Sequence, residues 1–151
     1  MQSSTNNIVP KVLLIAIIVL ALVGFADATF LLAKRISGTP IPCFITSGCD
    51  DVAKSPYAVL FGIPLSAWGV MFYLAIGIIT LLYADTKNIL FAKLILPATA
   101  VGFLSSLYFI YVQKFLIGKY CIYCIASATI STILFGIGIA IQRKLKSTLT
   151  A

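Results

Sequence analysis

Histidine and glutamate are absent from this sequence, and charged side chains of any kind are few. The 151 residues include 11 Lys and Arg and 4 acidic residues, all of them Asp, whereas 61% of the residues are apolar. A soluble domain of ordinary composition has roughly 25% charged and about 45–50% apolar residues. The lack of charge therefore excludes a water-soluble enzyme, and the mean hydropathy of +1.10 indicates a membrane protein.

Long apolar runs, by contrast, are abundant. Crossing a bilayer takes about 20 apolar residues of helix at a rise of 1.5 Å per residue, and the sequence contains four runs of this length. We predict an all-α membrane protein with a single domain over residues 1–151, a four-helix transmembrane bundle with a long outer loop between the first and second helices. The predicted spans cover about 12–33, 59–84, 94–113 and 120–142, and the outer loop covers 34–58.

The first run also has the outline of a secretory signal peptide. A basic residue precedes the apolar stretch 12–24, and Ala26-Asp27-Ala28 has the form of an A-x-A cleavage site. We favour a retained span, because apolar residues resume directly afterwards. Asp27 is then an acid within a span, and such acids are candidates for function. The alternative is that Asp27 only reaches water at the interface.

Four spans place both termini, and the loop between the second and third spans, on one side of the membrane. The other two loops face the opposite side. Lys and Arg are slightly more numerous on the side of the termini, and the positive-inside rule therefore favours termini in the cytoplasm. We expect an integral, multi-pass protein of the plasma (inner) membrane. Its net charge of +7 suits contact with anionic lipid head groups rather than with nucleic acid.

The four cysteines form two pairs that face the same compartment. Cys43 and Cys49 lie in the first outer loop, and Cys121 and Cys124 lie at the start of the fourth span. Both loops are on the side opposite the termini, where an oxidising environment allows disulfides to persist. Two cysteine pairs that can meet at one membrane surface indicate thiol–disulfide exchange.

The spacing within each pair suggests different tasks. Cys121 lies near a helix N-terminus, where unpaired N–H groups and the helix dipole favour a thiolate, while Cys124 lies one turn deeper in the membrane. Cys43 and Cys49 lie in a flexible loop in which Gly48 permits a tight turn, so this pair can meet a soluble partner. Exchange proceeds through mixed disulfides and requires neither a metal nor a histidine.

Two other readings of the four cysteines remain open at this stage. They could form two inert disulfides in a structural membrane protein. They could also bind zinc as a four-cysteine site, although the six-residue spacing of one pair and the burial of Cys124 in a membrane helix argue against this.

Several motifs together resemble the vitamin K epoxide reductase family, in its bacterial and archaeal branch. The resemblance runs from about Val12 to Arg143 and includes both cysteine spacings and a serine six residues after the second loop cysteine. The matching elements are Cys43, Cys49, Ser55, Phe61-Gly62-Ile63-Pro64, Ser106-Leu107-Tyr108 and Cys121-Ile-Tyr-Cys124. The resemblance implies a four-helix bundle around a quinone site near the outer membrane surface.

The resemblance also implies an order of electron transfer. A reduced partner would attack the Cys43–Cys49 disulfide, Cys49 would exchange with Cys121, and Cys124 would meet the quinone, either ubiquinone or menaquinone. The supporting residues of the quinone pocket would be Ser55, Phe61, Leu65 and Tyr108, for each of which plain core packing is the alternative.

Departures from the family pattern narrow the expected reaction. The asparagine and tyrosine that hold the naphthoquinone oxygens in the animal enzymes fall on Ala58 and Ala128 here, which favours quinone reduction over epoxide reduction. Many bacterial relatives carry a fused thioredoxin-like domain, whereas this chain stops at Ala151. We therefore expect a separate thioredoxin-fold (DsbA-like) partner. The DsbB-type quinone-coupled proteins are a rival family, but their two cysteine pairs occur in the reverse order.

Overall fold

The computed structural model describes residues 8–150, most of which are helical. In chain order the elements are α1 (Lys11–Ser37), α2 (Cys49–Lys54), β1 (Val59–Leu60), β2 (Ile63–Pro64), α3 (Leu65–Thr86), α4 (Ile89–Tyr111) and α5 (Ile122–Thr150). A 3₁₀ turn (Pro56–Ala58) precedes β1, and a π-helical turn (Val112–Ile117) continues α4. Four helices in this part of the chain are long and apolar enough to cross a membrane, which confirms the predicted fold class of a multi-pass helical bundle.

The four long helices pack as a closed ring. α1 packs most extensively on α3 and α4 on α5, while contacts of α3 with α4 and of α1 with α5 complete the ring. The core contains Ile17 of α1, Ile76 of α3, Ile95 of α4 and Leu134 of α5, all fully buried. Many large apolar side chains point outward from every helix. An exposed apolar surface of this extent marks contact with lipid rather than water.

Local chemistry sets the connections between the helices. α3 and α4 are joined by Lys87, in the left-handed conformation, and Asn88, whose side chain accepts a hydrogen bond from the Leu90 N–H at 3.0 Å. Asn is a favoured N-cap residue because its oxygen satisfies one of the unpaired N–H groups of the first turn. This tight connection makes the two helices antiparallel neighbours. The segment that follows α1 is much longer and contains α2 and a two-stranded hairpin.

Several helix ends differ from the sequence prediction, among them the end of α1, which lies at Ser37 rather than at 33. α3 begins at Leu65 rather than at 59, because Phe61 and Gly62 adopt positive φ (54° and 78°) and form a hairpin in which Leu60 pairs with Ile63. α4 begins at Ile89 rather than at 94, and α5 continues to Thr150 rather than ending at 142. A charged residue ends an apolar run, but Lys and Arg are good helix formers, so it does not end the helix.

We call one end of the ring the cysteine end. There α1 and the π-helical turn finish, and α3 and α5 begin. The segment 38–64, with α2 and the hairpin, lies at this end, because both of its flanking helices end or begin there. The fold thus brings the two cysteine-containing segments to one place.

Candidate active site

The first cysteine pair forms a disulfide at the start of α2. Cys43 and Cys49 are bonded, with their Cα atoms 5.8 Å apart. Cys49 is fully buried, whereas Cys43 is half-buried. The Thr46 hydroxyl lies 3.2 Å from the Cys43 sulfur and 3.8 Å from the Cys49 sulfur. One sulfur of the disulfide is therefore closer to solvent, and the other faces the protein interior.

Charged side chains hold α2 against the bundle. Lys119 pairs with Asp51 at 2.7 Å, whereas the pair of Lys54 with Asp50, at 2.9 Å, lies within α2 itself. The hydrogen bond from Lys54 lowers the pKa of the Asp50 carboxyl from its ordinary value. The Arg35 guanidinium, near the end of α1, donates to the carbonyl oxygen of Ala53. Exposed ion pairs contribute about 0.2–1 kcal/mol each, so these contacts orient α2 without fixing it rigidly.

The backbone at Gly48 lies directly against the segment that precedes Cys121. A Cβ atom at position 48 would lie 2.7 Å from the Cβ of Lys119 and 3.1 Å from the carbonyl oxygen of Tyr120. Only glycine permits this approach. Because Gly48 precedes Cys49 and Tyr120 precedes Cys121, the contact brings together the backbones that bear these two cysteines.

The second cysteine pair is reduced and lies beneath the first. Cys121 and Cys124 are free thiols, the former fully buried and the latter half-buried. Cys49 and Cys121 belong to one buried apolar cluster, against which Cys43 and Cys124 also pack. All four sulfurs therefore lie close together at the cysteine end.

Tyr123, between the two inner cysteines, connects the pairs directly. Its hydroxyl donates a hydrogen bond to the carbonyl oxygen of Pro42, the residue before Cys43, at 3.1 Å. Its ring also contacts the ring of Phe30 in α1, with centroids 5.3 Å apart. The first turn of α5 thus contacts both α1 and the outer segment.

Gln113 is a site residue that the sequence analysis missed. It lies in the π-helical turn, is almost fully buried, and its Oε1 accepts a hydrogen bond from the Cys121 N–H at 2.9 Å. Its Nε2 has no hydrogen-bond partner within the described part of the chain. Single π-helical turns occur often at functional sites. An uncharged polar residue at the end of an apolar run was the only available signal.

A cavity of about 710 Å³ opens inside the bundle beside Cys124. Its walls come from the four long helices and from the outer segment, namely α2, the 3₁₀ turn and the hairpin, and they are mostly apolar. Pockets for small organic ligands usually measure about 300–1,000 Å³ and are lined in the same way. Of the four residues expected at the pocket, Phe61 and Leu65 line this cavity.

The other two expected pocket residues lie outside the cavity wall. The Ser55 hydroxyl donates to the carbonyl oxygen of Val52 at 2.8 Å, just after α2. Tyr108 lies on the outer surface of α4 with 58% of its surface exposed. Ala58 and Ala128, the positions at which the family pattern departs, do line the cavity.

A few polar groups lie among the apolar walls. The Tyr73 hydroxyl donates to the Ser127 carbonyl oxygen at 3.0 Å and lies 2.7 Å from the Ser127 hydroxyl. Gly24 makes room for this tyrosine, since a Cβ at position 24 would overlap its ring. Asp27 also lines the cavity, and its Oδ2 is buried without a hydrogen-bond partner among residues 8–150.

Comparison with known proteins agrees with this architecture. A model of the vitamin K epoxide reductase family matches residues 15–139. Thiol-disulfide oxidoreductase LTO1 of Arabidopsis thaliana is 34% identical over 122 residues, which cover 72% of this chain and 31% of the relative. The chain thus spans about a third of the length of that relative.

Proposed function

Because this chain belongs to the vitamin K epoxide reductase family, we propose that it oxidises the dithiol of a thioredoxin-fold partner and passes the electrons to a membrane quinone. The family match confirms the resemblance expected from the motifs. The chain is a multi-pass membrane oxidoreductase. Its substrate and partner belong to the proposal, since the relative with a named thiol–disulfide activity is much longer.

The observation that supports this function best is the packing of a disulfide against a dithiol. Cys49 and Cys121 share one buried cluster, and this proximity supports exchange, in which a thiolate attacks a sulfur of the other pair's disulfide. Cys124, the deeper thiol, lines the cavity. The four sulfurs therefore form a path from the surface of the protein to its interior.

The proposed reaction transfers two electrons from the partner's dithiol through the outer and then the inner cysteine pair. The partner's dithiol reduces the Cys43–Cys49 disulfide through a mixed disulfide, and the partner leaves oxidised. The Cys49 thiolate then attacks an oxidised Cys121–Cys124 pair, which restores the Cys43–Cys49 disulfide and leaves the inner pair as a dithiol. This is the state of the structure. Oxidation of the inner dithiol re-forms its S–S bond and transfers two electrons and two protons to the quinone.

The cavity suits a quinone ring. Its volume of about 710 Å³ and its apolar walls fit a small aromatic head group whose isoprenoid tail lies in the lipid. Phe61 and Leu65 form part of its wall on the side of the cysteine end. Alanine at positions 58 and 128 supplies no hydrogen-bonding side chain there, which supports quinone reduction rather than epoxide reduction.

The loop between the outer cysteines offers a contact surface to the partner. Phe44 and Ile45, directly after Cys43, are 88% and 80% exposed. Exposed apolar residues next to an exchanging disulfide suit the groove of a thioredoxin-fold protein. In the proposed orientation this loop faces the extracytoplasmic side, where the partner would be secreted, and both termini face the cytoplasm.

A purified preparation tests the proposal. The protein in lipid nanodiscs, a reduced thioredoxin and a short-chain ubiquinone analogue are mixed without oxygen, and quinone loss is followed by absorbance. We expect turnover with the wild type, no quinone reduction with Cys124→Ala, and no oxidation of thioredoxin with Cys43→Ala. Thr148→Ala, on the exposed end of α5, is the control. Wild-type rates in either cysteine variant would contradict the assigned role.

The same preparation tests the structural alternative. Two inert disulfides would have reduction potentials below about −300 mV and would not equilibrate with a thioredoxin-like donor. The packing of Cys121 and Cys124 against Cys49 in one cluster supports the redox reading. A redox titration in which neither pair exchanges with thioredoxin would establish the structural role instead.

A further inference from the structure

Asp27 is an ionisable group inside the bundle that the cysteine relay does not use. It lies in α1, ten residues before the C-terminal end at Ser37, which corresponds to about 15 Å of helix. It is the one acidic side chain among the described residues that line the cavity, and Cys124 lines the same cavity. A carboxyl at this depth in a membrane helix is costly unless it is paired or functional.

No structural partner accounts for this carboxyl. Its Oδ2 is buried and makes no hydrogen bond within residues 8–150. The charged and titratable groups that share the cavity with Asp27 are Arg35 of α1, Tyr73 of α3 and Cys124 of α5, while α4 adds only serines as polar side chains. The Arg35 guanidinium donates to the carbonyl oxygen of Ala53 in α2, and no ion pair joins it to Asp27 within the described residues.

Several hydroxyl groups of the cavity donate their protons to acceptors other than Asp27. The Tyr73 hydroxyl donates to the Ser127 carbonyl. The Ser105 hydroxyl donates to Val101, and the Ser106 hydroxyl to Gly102, in both cases to the backbone of α4. Asp27 is the carboxyl group among the described cavity residues, and its Oδ2 has no hydrogen-bond partner within residues 8–150. The reaction needs such a group, because two thiol protons leave the inner pair in a cavity that is largely apolar.

We propose that Asp27 is the proton-transfer residue of the quinone site, an inference that rests on the proposed function. Its carboxylate accepts the two thiol protons one after the other as the Cys121–Cys124 bond forms, and its carboxyl passes each of them to a quinone oxygen. In each turnover two S–H bonds break, one S–S bond forms, and the quinone gains two electrons and two protons. Asp27 ends in the protonation state in which it began.

The test isolates the last step of the relay. Protein with both pairs reduced is mixed with a short-chain ubiquinone analogue in a single-turnover experiment without oxygen. General acid–base groups contribute about 10²–10⁴-fold to a rate, so we expect Asp27→Asn to slow quinone reduction at least 100-fold. Asp27→Glu should remain within about tenfold of the wild type. The reduction of the Cys43–Cys49 disulfide by thioredoxin should be unchanged in both. Asp85→Asn, an exposed acid at the end of α3, is the matched control.

Chemical rescue separates proton transfer from a structural role. In Asp27→Ala, added formate should raise the rate of quinone reduction at least tenfold over the rate without formate, because a small acid can occupy the vacated space. Three results would each overturn the proposal. The first is a wild-type rate in Asp27→Asn, and the second is a higher KM for quinone with unchanged kcat in that variant. The third is a folded Asp27→Ala protein whose rate formate does not restore. If Asp27→Asn or Asp27→Ala does not fold, the Asp27→Glu variant decides the question. A folded Asp27→Glu protein that reduces quinone more than tenfold slower than the wild type also overturns the proposal. Lack of quinone reduction by the wild type would instead show that the proposed function fails.

Discussion

The two cysteine pairs occupy contrasting surroundings. The outer pair links a loop residue to the start of the short helix α2, which one exposed ion pair and the Arg35 hydrogen bond hold against the bundle, and Phe44 and Ile45 lie beside it in solvent. The inner pair lies at the start of a 29-residue helix, next to a buried glutamine and a cavity. The contrast suggests that the outer pair is the one that moves and changes partner, while the inner pair is fixed so that its deeper thiol stays at the cavity.

The largest expected effect comes from the asymmetry within the outer pair. In Cys43→Ala the Cys49 thiol remains in the buried cluster with Cys121, and we expect a stable Cys49–Cys121 disulfide after mild oxidation. In Cys49→Ala the remaining Cys43 thiol is at the edge of that cluster, and we expect no disulfide to Cys121. Peptide mapping by mass spectrometry under non-reducing conditions distinguishes the two. Equal yields of the two cross-pair disulfides would show that the outer segment does not hold Cys49 in its place.

A smaller change at the contact between the pairs should slow their exchange. Gly48→Ala places a methyl group 2.7 Å from the Lys119 Cβ, so the two backbones must separate. We expect electron transfer from the outer to the inner pair to fall about tenfold, since a misplacement of about 1 Å can cost up to 10²-fold. Quinone reduction by the chemically reduced inner pair should be unaffected.

Gly77→Ala provides the matched control for this variant, because a Cβ at position 77 meets nothing within 4 Å. Rapid mixing with reduced thioredoxin, followed by acid quenching and thiol alkylation, measures the exchange. If Gly48→Ala and Gly77→Ala exchange at the same rate, the close backbone contact has no part in the relay.

The hydrogen bond of Gln113 to the Cys121 N–H should stabilise the folded protein around the inner pair, with an effect between those of the other substitutions. Gln113→Met keeps the length of the side chain but leaves the buried Cys121 N–H without its acceptor, a loss that costs about 1–3 kcal/mol. We expect a lower melting temperature in detergent and faster alkylation of Cys121. Gln142→Met is the control, because Gln142 donates to Lys93 in an exposed position toward the other end of the bundle. An equal loss of stability in both variants would contradict a special role for Gln113.

The sequence allowed the bundle of four helices and the location of both cysteine pairs on one side of the membrane to be predicted, since apolar runs and the parity of four spans determine them. It did not allow the inward face of each helix to be predicted. Spans that are apolar all round have no polar face to indicate the outside, so the outward position of Tyr108 and the inward position of Asp27 depend on packing. The Gly48 contact is likewise tertiary, because it joins two separate loops, and the hydrogen bond of Gln113 depends on how the chain turns between residues 113 and 121.

The smallest expected effect is at the ion pair between α2 and the segment that precedes α5. Lys119 and Asp51 are 2.7 Å apart, with about half of each side chain exposed, so solvent screens their attraction and the pair should contribute less than about 1 kcal/mol. A double-mutant cycle with Lys119→Met and Asp51→Asn should give a coupling in the exchange rate of less than about fivefold, and the coupling should vanish in 1 M salt. A coupling that is larger, or that persists in high salt, would mean that the pair fixes the outer segment on the inner pair. The outer segment would then be as rigid as the helix beneath it, and the contrast between a mobile outer pair and a fixed inner pair would be wrong.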